Sequence, residues 1–270
     1  MTTEKERDPR IDWSTSALLA EVLRLARADE TRDSDELGEL LSILRLRGDR
    51  ETLDAALELG RSSDPVFRQL GADCLNDLGC MHEHPYQAES TPLLTALCAD
   101  TDPAVVESAL YAASKFRNFD ARVIAGCARH ADDDVRFAVA CALSYRTEPE
   151  AVEALIALMS DPIDDVRDWA TFGLGNGDAD SALIRAALTA RLTDEDTDTR
   201  CEAIFGLAKR GVEEVIPFIE RELDATGSTL AVEAAEILAD PRLLPALERL
   251  AADCPNDDDI ERALAACRRT

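Results

Sequence analysis

The chain repeats itself at an interval close to the length of one helical hairpin. Asp132-Val135-Arg136-Val139-Leu143, Asp165-Val166-Arg167-Ala170-Leu174 and Asp198-Thr199-Arg200-Ala203-Leu207 share one frame, their arginines 31 and 33 residues apart. The frame extends upstream to Asp64-Phe67-Arg68-Gly71-Leu75 and Asp102-Val105-Val106-Ala109-Ala113, and downstream to Leu230-Ala231-Ala234-Leu238. A unit this short cannot bury its own apolar face and has to lean on its neighbours, so a fixed period of this size predicts stacked repeats. Such a stack grows its core linearly, and 270 residues therefore do not require two domains.

Between successive arginines there is room for two helices. Pro149 to Met159 reads as a first helix, Ser160 to Asp164 as a turn, and Asp165 to Leu174 as a second helix closed by Gly175 and Gly177. Gly48, Gly79, Gly175 and Gly211 fit the left-handed residue that ends a helix sharply. Acidic clusters at the front of each second helix (Asp64, Asp102, Asp132 to Asp134, Asp164 and Asp165, Asp194 to Asp198) suit N-capping and the positive end of the helix dipole. Arg68, Arg136, Arg167 and Arg200 recur in register and are expected to form a structural ladder, each bonded to the aspartate or carbonyls of the turn before it. The predicted fold is all-α: a right-handed α-α superhelix, or solenoid, of about seven to eight hairpins running through 1–270 as one body. Residues 1–12 read as a flexible N-terminus, 80–90 as an inter-repeat insertion loop and 240–270 as a C-terminal capping hairpin.

Composition narrows the class. Ala and Leu dominate a 46% hydrophobic content with only 4% aromatics, no alternating strand pattern appears, and no apolar run is long enough to cross a bilayer, so a cytoplasmic protein is expected. Eight cysteines without a C-x-x-C pair read as reduced, buried structural residues. The net charge of -26, from 29 basic and 55 acidic residues, opposes nucleic acid and anionic membranes as partners.

The motif D-x-x-V-R-x-x-A-x-x-x-L, and above all Asp165-Val166-Arg167-Asp168-Trp169-Ala170-Thr171-Phe172-Gly173-Leu174-Gly175, resembles the short HEAT-like repeats of the phycobilisome-lyase type. The resemblance covers roughly residues 30 to 268 and implies the solenoid fold. Members of that family include scaffolds, chromophore-lyase subunits, a metal-dependent hydroxylase and, more distantly, DNA glycosylases, so it leaves activity open.

With each arginine as position zero, positions -1, +3, +6 and +7 of the second helix form the buried face, and +1, +5 and +8 the opposite one. In HEAT-like stacks second helices line the concave side. The candidate partner-binding residues there are Glu107, Tyr111, Phe137, Cys141, Tyr145, Asp168, Trp169, Phe172, Glu202, Phe205 and Glu233, an aromatic stripe bordered by carboxylates. The competing reading packs the +5 residues between adjacent second helices. The spacing of 38 between Arg68 and Val106 places an insertion at Cys80-Met81-His82-Glu83-His84-Pro85-Tyr86-Gln87, where Cys80, His82, Glu83 and His84 are weak metal candidates, outweighed by a plain surface loop.

The hydroxylase's His-Glu pairs are absent from the repeat helices, the acidic flanks oppose a DNA-binding groove, and no G-x-S-x-G, Walker loop or H-E-x-x-H occurs. No catalytic residue, resident metal or cofactor is therefore assigned. The expected function is a non-catalytic scaffold or adaptor, monomeric, holding a basic protein or peptide; one concrete version is an immunity protein that sequesters a toxin. The alternative is a lyase-like accessory or enzymatic subunit that binds a small ligand or chromophore in the same groove.

Overall fold

The computed structural model describes residues 8–28, 35–76, 78, 84–116 and 118–269. Among the described residues every regular element is helical: sixteen α-helices and three short 3-10 turns. They fall into two compact units, Met1–Cys127 and Ala128–Thr270.

The first unit holds α1 (Thr15–Ala28), α2 (Asp35–Arg47), α3 (Arg50–Leu59), α4 (Pro65–Leu75), α5 (Gln87–Leu97), α6 (Pro103–Ser114) and the short α7 (Ala121–Gly126). Helices pair as hairpins, α1 with α2, α3 with α4 and α5 with α6, and α4 packs against both α2 and α6. The α3–α4 crossing depends on glycine: a Cβ on Gly71 would lie 2.4 Å from the Gly60 nitrogen. A 3-10 turn at Pro9–Asp12 is fastened to α2 by Arg10, which bonds Asp8 and Glu39. Residues 87–90, expected in the inserted loop, are instead the first turn of α5.

The second unit is more regular. It holds α8 (Asp133–Leu143), α9 (Pro149–Leu158), α10 (Asp164–Gly175), α11 (Ala182–Arg191), α12 (Thr197–Lys209), α13 (Ile216–Ala225), α14 (Thr229–Leu238), α15 (Leu244–Asp253) and α16 (Asp258–Cys267). The even-numbered helices form a row, each packed on the next, and α9, α11, α13 and α15 pair with α10, α12, α14 and α16. Positions -1, +3 and +7 are buried in the three repeats of the second unit that carry the arginine: Val135, Val139 and Leu143; Val166, Ala170 and Leu174; Thr199, Ala203 and Leu207. Burying Leu or Val side chains stabilises by roughly 1.5–3 kcal/mol apiece, so these rows hold the stack together.

Helix starts follow the acidic clusters. Asp64, Asp102, Asp132 and Asp196 each accept a backbone N–H of the first turn, and Pro65, Pro103 and Pro149 occupy the first position, where no N–H is needed. Helix α10 differs: Asp164 and Asp165 lie inside its first turn and Ile163 takes the cap position. The glycines also divide. Gly48 and Gly211 adopt φ of +58° and +66° as expected. Gly175 instead stays helical, because the α10–α12 crossing needs a residue without a side chain there: a Cβ on Gly206 would sit 2.6 Å from the Gly175 Cα. Gly79 lies outside the described residues.

Candidate functional site

Two edges of the second helices carry charge, and they treat it differently. On the first, the recurring arginines stitch each unit to the next. Arg136 donates from Nη1 to the His130 and Ala131 carbonyls of its own turn, and from Nε and Nη2 to Asp161 at 2.7 and 3.0 Å. Arg167 donates to the Asp161 carbonyl and, through Nε and Nη2, to Asp194. Arg200 donates to the Asp194 and Glu195 carbonyls and reaches Glu222 at 3.1 Å. Arg68 does the same in the first unit, with the Ser62 and Ser63 carbonyls and Asp100. The carbonyls of the preceding turn are taken as expected, and Arg167 also bonds Asp164 in its own first turn at 2.6 Å, but the carboxylate that recurs at every rung belongs to the following unit.

These carboxylates are stabilised as anions. Burial pushes Asp161 and Asp194 up, but Arg136 and the Ile163 N–H on the one, and Arg167 and the Asp196 N–H on the other, outweigh it and hold both below the usual range. Arg68 does so for Asp100 against weaker burial.

The second edge carries rings and unpaired acids. Phe137 (α8) meets Trp169 (α10) edge-to-face at 5.6 Å, Trp169 meets Phe172 at 5.2 Å, and Phe172 meets Tyr145 at 5.6 Å, forming one continuous row. Trp169 is 37% exposed and Tyr145 56%, while Phe137 and Phe172 are half-buried. Tyr145 follows α8 in the left-handed region, φ +65°, and its N–H reaches the Gly173 carbonyl. Glycine at 173 makes that contact possible, since a Cβ there would meet Ser144 Oγ at 2.8 Å.

Beside the rings, Asp168 (α10) and Glu202 (α12) are half-buried acids whose fields overlap. Desolvation, with Asp198, Asp196 and Asp165, pushes Asp168 up to about 6. Desolvation, with Asp168, Asp198 and Glu233, pushes Glu202 up to about 7, against one bond from Asn176 Nδ2 at 3.0 Å. Asp168 Oδ1 is shielded from solvent and accepts no hydrogen bond. Among the described residues no arginine or lysine bonds either acid: Arg167 is committed to Asp194 and Asp164, and Lys209 to the Asn176 carbonyl and Asp178.

The predicted surface is therefore brought together in part. Phe137, Tyr145, Trp169 and Phe172 form the row, and Asp168, Glu202 and Glu233 share one electrostatic neighbourhood. Phe205 and Cys141 are half-buried at position +5, and burial pushes the Cys141 thiol up to about 11. Glu107 and Tyr111 stand half-buried on α6 in the first unit. At position +1, Cys201 and Val232 are fully buried, because the α12–α14 packing closes over them. Cys74 and Cys98 are raised to about 12 by burial, which leaves them as inert thiols at neutral pH. Of the metal candidates, Cys80, His82 and Glu83 lie outside the described residues, and His84 places its ring against Phe116. Among the described residues no three His, Cys, Asp or Glu side chains gather to hold a metal.

Sequence reasoning missed Arg210. Its guanidinium is 4% exposed and donates to the carbonyls of Leu174, Gly175, Gly177, Ala179 and Gly206, closing the C-terminus of α10 from the next unit. An arginine directly before a helix-ending glycine, Gly211, was the only signal for it.

Helical hairpins packed in register and stitched by an arginine ladder define an α-helical repeat protein. Residues 185–268 match the family described as HEAT repeats, and residues 135–161 the PBS lyase HEAT-like repeat. Protein YibA of Escherichia coli strain K12 is 26% identical over 235 residues, 84% of each chain. The X-ray structure of YibA matches with a TM-score of 0.74 over 100% of both chains at 23% identity. Importin beta matches 93% of this chain with 41% of its own, with a TM-score of 0.54 at 15% identity. The structural likenesses concern the fold, and residues 135–161 and 185–268 carry HEAT-like repeats.

Proposed function

We propose that this HEAT-like repeat protein is a binding scaffold that holds a basic protein or peptide on the ring-and-acid face of its second unit. One observation carries the reading: four rings in continuous edge-to-face contact, two of them solvent-exposed, lie beside two carboxylates that no cation among the described residues bonds. Rings so placed are anchors for a partner's apolar or cationic groups, and the acids select for positive charge. The net charge of -26 extends the same preference over longer range and accelerates encounter with a basic partner. Among the described residues no helix is long and apolar enough to cross a membrane, and nothing in the face resembles a nucleophile with its base.

The test is retention of a basic partner from host extract on immobilised protein, compared with the Trp169→Ala, Tyr145→Ala variant and repeated at high ionic strength. Stoichiometric retention by the natural chain, lost in the variant and weakened by salt, supports the scaffold. Equal retention by both proteins, or purified material carrying a chromophore in stoichiometric amount, overturns it.

A further inference from the structure

The ring-and-acid face has a chemical preference finer than positive charge. We propose that Asp168 and Glu202, with the exposed edges of Trp169 and Tyr145, form a seat for an arginine side chain of the partner. This rests on the scaffold reading above and specifies what the scaffold grips.

The seat is built by the backbone. The close Gly175–Gly206 crossing brings α10 and α12 together, so that two acids on different helices share one environment. Asn176 holds Glu202 through Oε2, which orients the carboxylate and leaves its other oxygen for an incoming donor. Asp168 Oδ1 already lacks both solvent and a donor. In a folded chain a shielded carboxylate oxygen normally finds a hydrogen-bond donor, so an acceptor left bare next to an exposed ring marks a position where a donor from outside belongs.

The charges that shift the pair are all acids: Asp165 on α10, Asp196 and Asp198 at the start of α12, and Glu233 on α14. Arg167 and Lys209 are bonded elsewhere. The ladder acids show what this arrangement lacks, since each of them faces an arginine of the chain itself. A guanidinium fits for three reasons: its fork can donate to two carboxylates at once, its planar face stacks on aromatic rings, and it is weakly hydrated and enters half-buried sites at lower cost than an ammonium. A lysine ammonium, with three N–H donors, can bridge the two acids but brings no planar face to the rings and is more strongly hydrated.

Occupation by a cation also moves protons. Asp168 and Glu202 are partly protonated between about pH 6 and 7, and a seated guanidinium favours their ionised forms. Binding therefore releases protons in that window, and affinity rises with pH through it.

The experiment uses the full chain with Trp13→Phe, which leaves Trp169 as the one remaining tryptophan of two. Capped hexa-arginine, hexa-lysine and hexa-citrulline are titrated while Trp169 fluorescence and proton release are followed. Expected are saturable quenching by hexa-arginine, weaker binding of hexa-lysine and none of hexa-citrulline. Asp168→Asn with Glu202→Gln should lower hexa-arginine affinity by about thirty-fold or more and abolish the pH dependence between about 6 and 7. Because the whole chain is acidic, a charge-matched control, Asp253→Asn with Glu261→Gln on α15 and α16, should change affinity by less than about three-fold. Equal loss in the control pair, equal binding of hexa-lysine, or tight binding without a Trp169 response overturns the arginine seat. Those outcomes leave the scaffold standing, which fails on its own tests: a captured partner that ignores Trp169→Ala, Tyr145→Ala, or a stoichiometric chromophore in the purified protein.

Discussion

Carboxylates line two edges of the α8–α10–α12 row, one set in the turns before α10 and α12 and the other on those helices themselves, and the contrast between the edges separates architecture from recognition. On the ladder edge, Asp161 and Asp194 each take a bidentate arginine and a backbone N–H, and both stay ionised despite burial. On the ring edge, Asp168 and Glu202 are also partly buried, yet neither has a cation, and both are shifted toward neutrality. Burial is common to the two sets and the partner is not. An acid that the fold has satisfied holds the protein together, and an acid that the fold has left bare is available to something else.

The sharpest way to break this comparison is to make the same kind of change on each edge. Asp194→Ala removes the carboxylate that Arg167 and Arg191 share, at a side chain only 5% exposed, and should lower the unfolding free energy by about 3–5 kcal/mol in denaturant titration. Trp169→Ala with Tyr145→Ala should leave the melting temperature nearly unchanged but weaken a basic partner by about 2–4 kcal/mol in calorimetry. If the stability falls instead, the exposed rings belong to the architecture. Asp132→Ala removes two N-terminal acceptor bonds of α8 and should cost about 1 kcal/mol, on the scale of a lost helix cap and well below a ladder rung.

The smallest effect has the opposite sign. Asp168 and Glu202 have folded pKa values above their unfolded ones, so whatever stability they give is complete below about pH 4 and is lost as pH rises through about 6 and 7. Asp168→Asn with Glu202→Gln should therefore raise the melting temperature by about 2–4 °C at about pH 8 and by nothing near pH 4. The ladder acids run the other way. Their depressed values contribute stability above about pH 4 that disappears as acid protonates them, together with that of other paired acids such as Asp49, Glu148 and Asp180, so a melting curve followed downward in pH falls where the ring-edge acids would leave it unchanged.

How much of this was legible in the sequence follows from which interactions have a period. Helices, turns and the buried rows were readable because Val135, Val166 and Thr199 fall at one register, as do Leu143, Leu174 and Leu207, and burial selects each of them alike. The ladder's arginines were readable for the same reason, but not its direction, because a carboxylate lying 25 or 27 residues ahead looks like any other turn acid until the hairpins are packed. Gly175 was misread as a cap because glycine serves both sharp exits and close crossings, and only the partner helix tells them apart. Exposure of the +5 rings was overestimated: Phe172 and Phe205 are half-buried, while the more exposed Trp169 and Tyr145 lie at +2 and +9, positions that a single helical wheel does not join. Arg210 falls ten residues after Arg200 as Arg146 does after Arg136, but Arg146 bonds Glu148, so a position shared by only two repeats did not announce the carbonyl cluster.

The stitching by Asp161 and Asp194 has a consequence for how such a chain can lengthen. Each of these residues gives its carboxylate to the arginine behind and its carbonyl to the arginine ahead, so a copied segment inserted between them would arrive with both connections intact. At Arg200 the series ends on Glu222, a side chain from the body of α13 rather than from a turn. The next repeat has Ala231 where the arginine would stand, so no further rung is offered. The ladder is thus self-continuing in the interior of the second unit and stops at Glu222.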